Sequence, residues 1–184
     1  MRPLPRLEIL TEELLGNRLG AGVYRRWVRD LGLAGTERVL EVGCGAGACA
    51  RHLAEALPCG SLTCLDVDAR WLAVARRRLA SHDNVGFVCA DIAQWQQPGA
   101  FDAVVVHFVL HDIPAENRRA ALEGIIRSLA PGGRLLLREP TGHGMSGAEL
   151  DALLGGAGFA PVDARQLERV PLMGDTVSGR WALA

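Results

Sequence analysis

Apolar positions along this chain change period repeatedly, and each change marks a predicted element. Between residues 7 and 31, Leu10, Leu14, Leu15, Leu19, Val23, Trp27, Val28 and Leu31 recur at helical spacing with Arg and Glu between them. Gly16, Gly20 and Gly22 predict a break in that helix near Asn17. RVLEV (38–42) reads as a short apolar strand, followed by GCGAG and a helix-like ACARHLAEAL. SLTCLDV (61–67) is a second strand and ARWLAVARRRLA an amphipathic helix. VGFVCAD (85–91) and FDAVVVHFVL (101–110) predict a third and a fourth strand. A helix is expected from Pro114, stopped by Pro131-Gly132-Gly133. GRLLLRE supplies a fifth strand, MSGAELDALLGGAGF a short helix, and the last 25 residues two more strands.

Strand and helix alternating at this spacing predict βαβ units: an α/β fold with a mostly parallel sheet and helices on both faces. The runs VVVHFVL and RLLL suit strands buried on both sides. We expect an N-terminal helical extension over residues 1–34, a lid or a packed helix, and one α/β domain over 35–184.

Composition removes several function classes. The 184 residues carry 20 basic and 21 acidic side chains, a formal net charge of −1, which argues against a nucleic-acid or anionic-membrane partner. Arg25, Arg26, Arg29 and Arg76, Arg77, Arg78 read as solvated faces. All 20 basic residues are Arg, so neither a Schiff-base lysine nor a P-loop lysine is available. Cys44, Cys49, Cys59, Cys64 and Cys89 form no C-x-x-C pair and read as small hydrophobes in a reducing compartment. With no apolar leader or membrane span in the pattern, the expected location is the cytoplasm, and no metal site is expected.

Candidate chemistry begins where the first strand ends. Gly43, Cys44, Gly45, Ala46 and Gly47 form a turn in which glycines admit tight backbone and close approach of a ligand. A strand–helix connection alone would account for that. Asp66, however, ends the second strand 19 residues beyond Gly47, where a carboxylate can accept both hydroxyl hydrogens of a ribose. Asp91 ends the third strand, placing a glycine loop and two acids on one sheet edge. Asp68 reads as a helix cap, and Trp95 as partial core or else as a flank to a bound base.

The succession VLEVGCGAG, LDVDARWLAVARRRL, VCAD, FDAVVVHFVLHDIP and LAPGGRLLLREP resembles the motifs of class I S-adenosylmethionine-dependent methyltransferases over roughly residues 38–140. The resemblance implies a seven-stranded Rossmann-like sheet in the order 3-2-1-4-5-7-6, the last strand antiparallel. It implies S-adenosylmethionine as cofactor. Gly43, Cys44 and Gly45 would lie against its methionine part and adenosine, Glu41 near its amino end, and Asp66 on the ribose. Val67 would meet the adenine face, Asp91 and the Ile92 backbone the adenine edge, and His107 the methionine side.

The fourth-strand segment sorts the chemistry. Neither the asparagine-proline-proline pattern of nucleic-acid amino methyltransferases nor the two spaced glutamates of arginine methyltransferases is present. Leu110-His111-Asp112 is similar to a segment of small-molecule O-methyltransferases, in which the His is general base and an acid orients it. His111 is therefore the candidate base, or else a pocket wall. Those enzymes carry a large N-terminal dimerisation region, and only about 35 residues precede the first strand here. Asn17 and Tyr24 from the N-terminal segment, with His111 and His143, are candidate contacts to a small-molecule acceptor. His52 and His82 read as surface or loop residues. The expected reaction is O-methylation, with N- or C-methylation and a non-catalytic donor-binding subunit as alternatives. A nicotinamide dehydrogenase would need a Tyr-Lys pair that a chain with one Tyr and no Lys does not have.

Overall fold

The apolar runs of the sequence pair into a sheet in a computed structural model that describes residues 21–142, 144–171 and 173–184. The strands are β1 (Arg38–Val42), β2 (Ser61–Asp66), β3 (Val85–Cys89), β4 (Phe101–His107), β5 (Leu129–Pro140), β6 (Phe159–Pro161), β7 (Gln166–Val170) and β8 (Gly174–Leu183). The helices are α1 (Ala21–Asp30), α2 (Ala48–Ala56), α3 (Ala69–Arg78), α4 (Ala115–Ser128) and α5 (Gly147–Gly156).

The path through the sheet is β3-β2-β1-β4-β5-β8-β6, with β7 also paired to β8. Strands β1 to β5 are parallel to one another, and β8 runs antiparallel to β5 from Arg134↔Ala182 to Pro140↔Thr176. The seven-stranded order is thus present with one refinement: the terminal segment forms three strands where the sequence predicts two. β6 covers one end of the long β8 and β7 the other, in the same direction, so the sixth strand is interrupted at 162–165.

Helices α1, α2 and α3 cover one face of this sheet, through a core that includes Trp27, Val28, Leu31, Leu53, Val105 and Leu136. Helices α4 and α5 cover the other, over Leu40, Val104, Val106, Leu135 and Leu137. Alternate residues of β4 and β5 therefore enter opposite cores, which is why both strands read as nearly unbroken apolar runs. The N-terminal helix α1 lies inside the first of these cores. Among the described residues no helix is long and apolar enough to cross a membrane.

Three other differences are local. β4 stops at His107, not Leu110, because Phe108 turns to φ +59 and leaves the strand. Cys44, Cys49 and Cys64 are buried as expected, whereas Cys59 and Cys89 are exposed. His52, read as a surface residue, is 6% exposed and pairs its Nδ1 with Glu55 at 3.2 Å.

Candidate active site

Each glycine of the first loop has its own physical reason. Gly43, Gly45 and Gly47 have φ of +69, +52 and +78, a region that costs an L side chain strain. A Cβ on Gly43 would lie 2.6 Å from a methyl of Val109, so Gly43 admits the β4–α4 loop. A Cβ on Gly47 would press Ala75 of α3 and Leu79, which follows it. Gly45 is different, since no heavy atom lies within 4 Å of where its Cβ would be. That is the open side of the loop, where a ligand can reach the backbone. The Cys44 side chain turns into the core at 6% exposure, leaving only its backbone for a ligand.

Asp66 joins that loop to the end of β2. Its carboxylate accepts the Gly45 N–H at 2.8 Å and the Asp68 N–H at 2.9 Å, and the residue is 7% exposed. Burial raises its pKa, against backbone hydrogen bonds that lower it. Beside it Val67 is 70% exposed, an apolar side chain offered to solvent at the sheet edge. Asp91 is also exposed, but its Oδ1 already accepts the Ala93 N–H at 2.9 Å and closes a turn. Ile92 is buried, and its carbonyl faces α4, where a Cβ on Gly124 would come within 2.0 Å of it. Asp68 caps α3 through the Arg70 N–H, and Trp95 packs against Phe101 at 6.0 Å, as the sequence suggests for both.

Glu41 lies under the loop, 2% exposed, with a thiol contact from Cys64 at 3.9 Å. Burial pushes its carboxyl up to about 8, so it is largely protonated at neutral pH. An unfolded chain ionises the same group near 4.5. The folded state therefore holds the extra proton between those values, and stability falls as pH rises through them. Glu41→Gln is expected to remove this slope in urea unfolding compared at about pH 5 and about pH 8. An equally steep decline in the variant contradicts an ionisable, buried Glu41.

The β4–α4 loop is held by a residue the sequence reading did not single out. Glu139, fully buried in β5, accepts the N–H groups of Val109 and Leu110 at 2.7 and 2.8 Å. Its Oε2 lies 2.8 Å from His111 Nδ1, whereas Asp112 stands 3.5 Å from Nε2 with a mostly exposed side chain. The acid that orients His111 is therefore Glu139, 28 positions away. That hydrogen bond raises the His111 pKa above its ordinary value, against burial. A carboxylate bound at Nδ1 favours the tautomer with its lone pair on Nε2, the nitrogen a base would use, with Asp112 beside it. The charged pair Arg138-Glu139 at the end of an apolar strand was the available signal, since buried charges are rare without a task.

His107 ends β4 under α1, with its ring 4.6 Å from Trp27, 5.0 Å from Tyr24 and 4.0 Å from Phe108. Burial holds its pKa well below the usual value, with the Arg138 charge acting in the same direction. Of the remaining candidates, Tyr24 is half-buried on α1, while Asn17 and His143 lie outside the described residues. The structure brings Glu41, Gly43, Gly45 and Asp66 to one edge, with the His111 loop against Gly43.

A family model described as a methyltransferase domain matches residues 39–133, from β1 into β5. The chain belongs to the class I S-adenosylmethionine-dependent methyltransferase family. It is 33% identical over 178 residues to a ubiquinone/menaquinone biosynthesis C-methyltransferase of Pseudomonas savastanoi, a match covering 90% of this chain and 64% of that protein. It thus spans less than two thirds of the length of that relative. Among solved structures, the glycopeptide N-methyltransferase MtfA superposes with TM-score 0.75 at 18% identity, covering 90% of each chain. The [4+2]-cyclase SpnF superposes with TM-score 0.70 at 27% identity, covering 81% of this chain and 60% of that one. S-adenosylmethionine is the family's cofactor, and the open side of Gly45, the Asp66 carboxylate and the exposed Val67 fit such a donor.

Proposed function

We propose that this methyltransferase moves the methyl group of S-adenosylmethionine to a hydroxylated small-molecule acceptor, with His111 taking the hydroxyl proton. The observation that carries this reading is the His111–Glu139 contact at 2.8 Å, in a loop that packs on Gly43 through Val109. When bound, the donor supplies an electrophilic methyl carbon on a sulfonium. Asp66 accepts the ribose hydroxyls, Val67 lies on the adenine, Asp91 and the Ile92 N–H stand at its edge, and Glu41 lies at the amino end. Such a displacement needs chiefly alignment and exclusion of water. His111 Nε2 accepts the proton while Glu139 stabilises the imidazolium. Tyr24 and Trp27 of α1 roof the ends of β4 and β5. Residues 1–34 act as a lid in this reading, with Asn17 and His143 as further acceptor contacts.

Oxygen is the expected methyl acceptor. A second reading, methylation at a ring carbon activated by the same deprotonated hydroxyl, is favoured by the C-methyltransferase relative at 33% identity. Both start from one proton transfer, so the base assignment serves either. The test is S-adenosylhomocysteine formation with a panel of small phenols and quinols, followed by NMR of the product. Turnover with an O–CH3 or C–CH3 product supports the reading. Donor binding with no turnover on any hydroxylated acceptor contradicts it and favours a non-catalytic subunit, or non-transfer chemistry like that named for the cyclase.

A further inference from the structure

Arg138 is the least satisfied charged group in the described molecule. It sits on β5 directly opposite His107 of β4, and both side chains enter the core under α1. It is 2% exposed, and Nη2 meets Glu168 Oε1 at 2.8 Å. Its Nε and Nη1 have no hydrogen-bond partner among the described residues, and neither has His107 Nε2. Trp27 and Phe108 flank the guanidinium, with ring centroids 5.9 and 5.6 Å from its central carbon. An arginine offers five N–H donors, and burying them unpaired costs free energy that ring contacts offset only in part. Native cores leave few such groups unpaired, and those that stay so commonly serve a catalytic role or hold a bound water or ion.

We infer that Arg138 is the acceptor-recognition group of this site, binding the carboxylate of a planar aromatic acid between Trp27 and Phe108, beside His107. The inference deepens the methyltransferase reading and rests on it. Two features favour the acceptor over the donor as the source of the anion. The glycine loop, Asp66 and Asp91 line the ends of β1, β2 and β3, whereas Arg138 is on β5, beyond β4 and about 10 Å from β1 at usual strand spacing. Glu41 occupies the corresponding face of β1 and is largely protonated at neutral pH, so the fixed positive charge of that row lies on the β5 side. A carboxylate suits a guanidinium with free N–H groups, and the aromatic walls suit a flat ring. The ligand enters by an outward movement of α1, whose Tyr24 and Trp27 now cover the guanidinium and whose Trp27 then walls the bound ring.

The experiment titrates 4-hydroxybenzoate and its neutral amide, 4-hydroxybenzamide, into the full chain saturated with S-adenosylhomocysteine. The acid is expected to bind at least about tenfold tighter than the amide. Arg138→Met is expected to abolish that preference and Arg138→Lys to keep part of it. Both are expected to leave S-adenosylhomocysteine affinity within about twofold, and Arg138→Met to leave the melting temperature no lower. Equal binding of acid and amide by the wild type, or binding of neither, overturns the inference without any variant. A tenfold loss of S-adenosylhomocysteine affinity in Arg138→Met, with 5′-methylthioadenosine unaffected, gives the guanidinium to the donor's carboxylate and also overturns it. So does a lower melting temperature with the acid preference intact, which marks a structural arginine. Failure of the wild type to bind S-adenosylhomocysteine at all overturns the function above together with this inference.

Discussion

His111→Ala is expected to lower kcat by ~10²–10⁴ while KM for the donor stays within a few fold, the signature of a lost general base. The size follows from what the side chain holds: one nitrogen fixed by Glu139 at 2.8 Å and one left for the acceptor. The pH profile gives an independent readout. The Glu139 hydrogen bond raises the His111 pKa above 6.5. Because the neutral imidazole is the base, activity climbs with pH through that raised value and then levels off. Glu139→Gln removes the main cause of the shift, so the rising limb moves to lower pH while the plateau falls with lost orientation. The stability the pair contributes runs the other way: full below about 6.5, and lost as pH rises through the folded value. A loss of only a few fold in His111→Ala, with the same pH limb, makes His111 a wall residue.

Asp66→Ala is the second large expectation, and it reads on binding. Two charge-assisted hydrogen bonds to ribose hydroxyls are lost, weakening S-adenosylhomocysteine by about 1–3 kcal/mol, or about 5- to 150-fold. The same carboxylate holds the Gly45 and Asp68 N–H groups, so some loss reflects a looser loop. Asp66→Asn separates the two effects, since its side-chain oxygen can still accept one of those N–H groups. Affinity in Asp66→Asn that falls with that of Asp66→Ala, at an unchanged melting temperature, places the loss on the ribose. Unchanged affinity in both variants removes Asp66 from the donor site.

What the sequence disclosed and what it withheld follow from the range of the interactions. The glycine loop and Asp66 were legible because each sits where a local apolar run stops, and parallel strands bring such ends to one edge. The break at 162–165 that divides the edge strand was not legible, since pairing with the distant β8 defines it. Glu139 was missed for a related reason. Its role depends on β5 lying beside β4 and on Phe108 leaving the strand at φ +59, and neither follows from local periodicity. The resemblance implies an acid that orients His111 without saying which, because local sequence holds no geometry that reaches β5. Arg138 was hidden in the same way, as one of three charged residues of β5, and its unpaired nitrogens show only once α1 covers it.

Calorimetric titration of the chain with S-adenosylhomocysteine, with NAD as control ligand, tests the central claim most directly. Micromolar binding of the first, weakened by Asp66→Ala, and no binding of the second are expected. Tighter binding of NAD, or silence from both ligands, contradicts that claim.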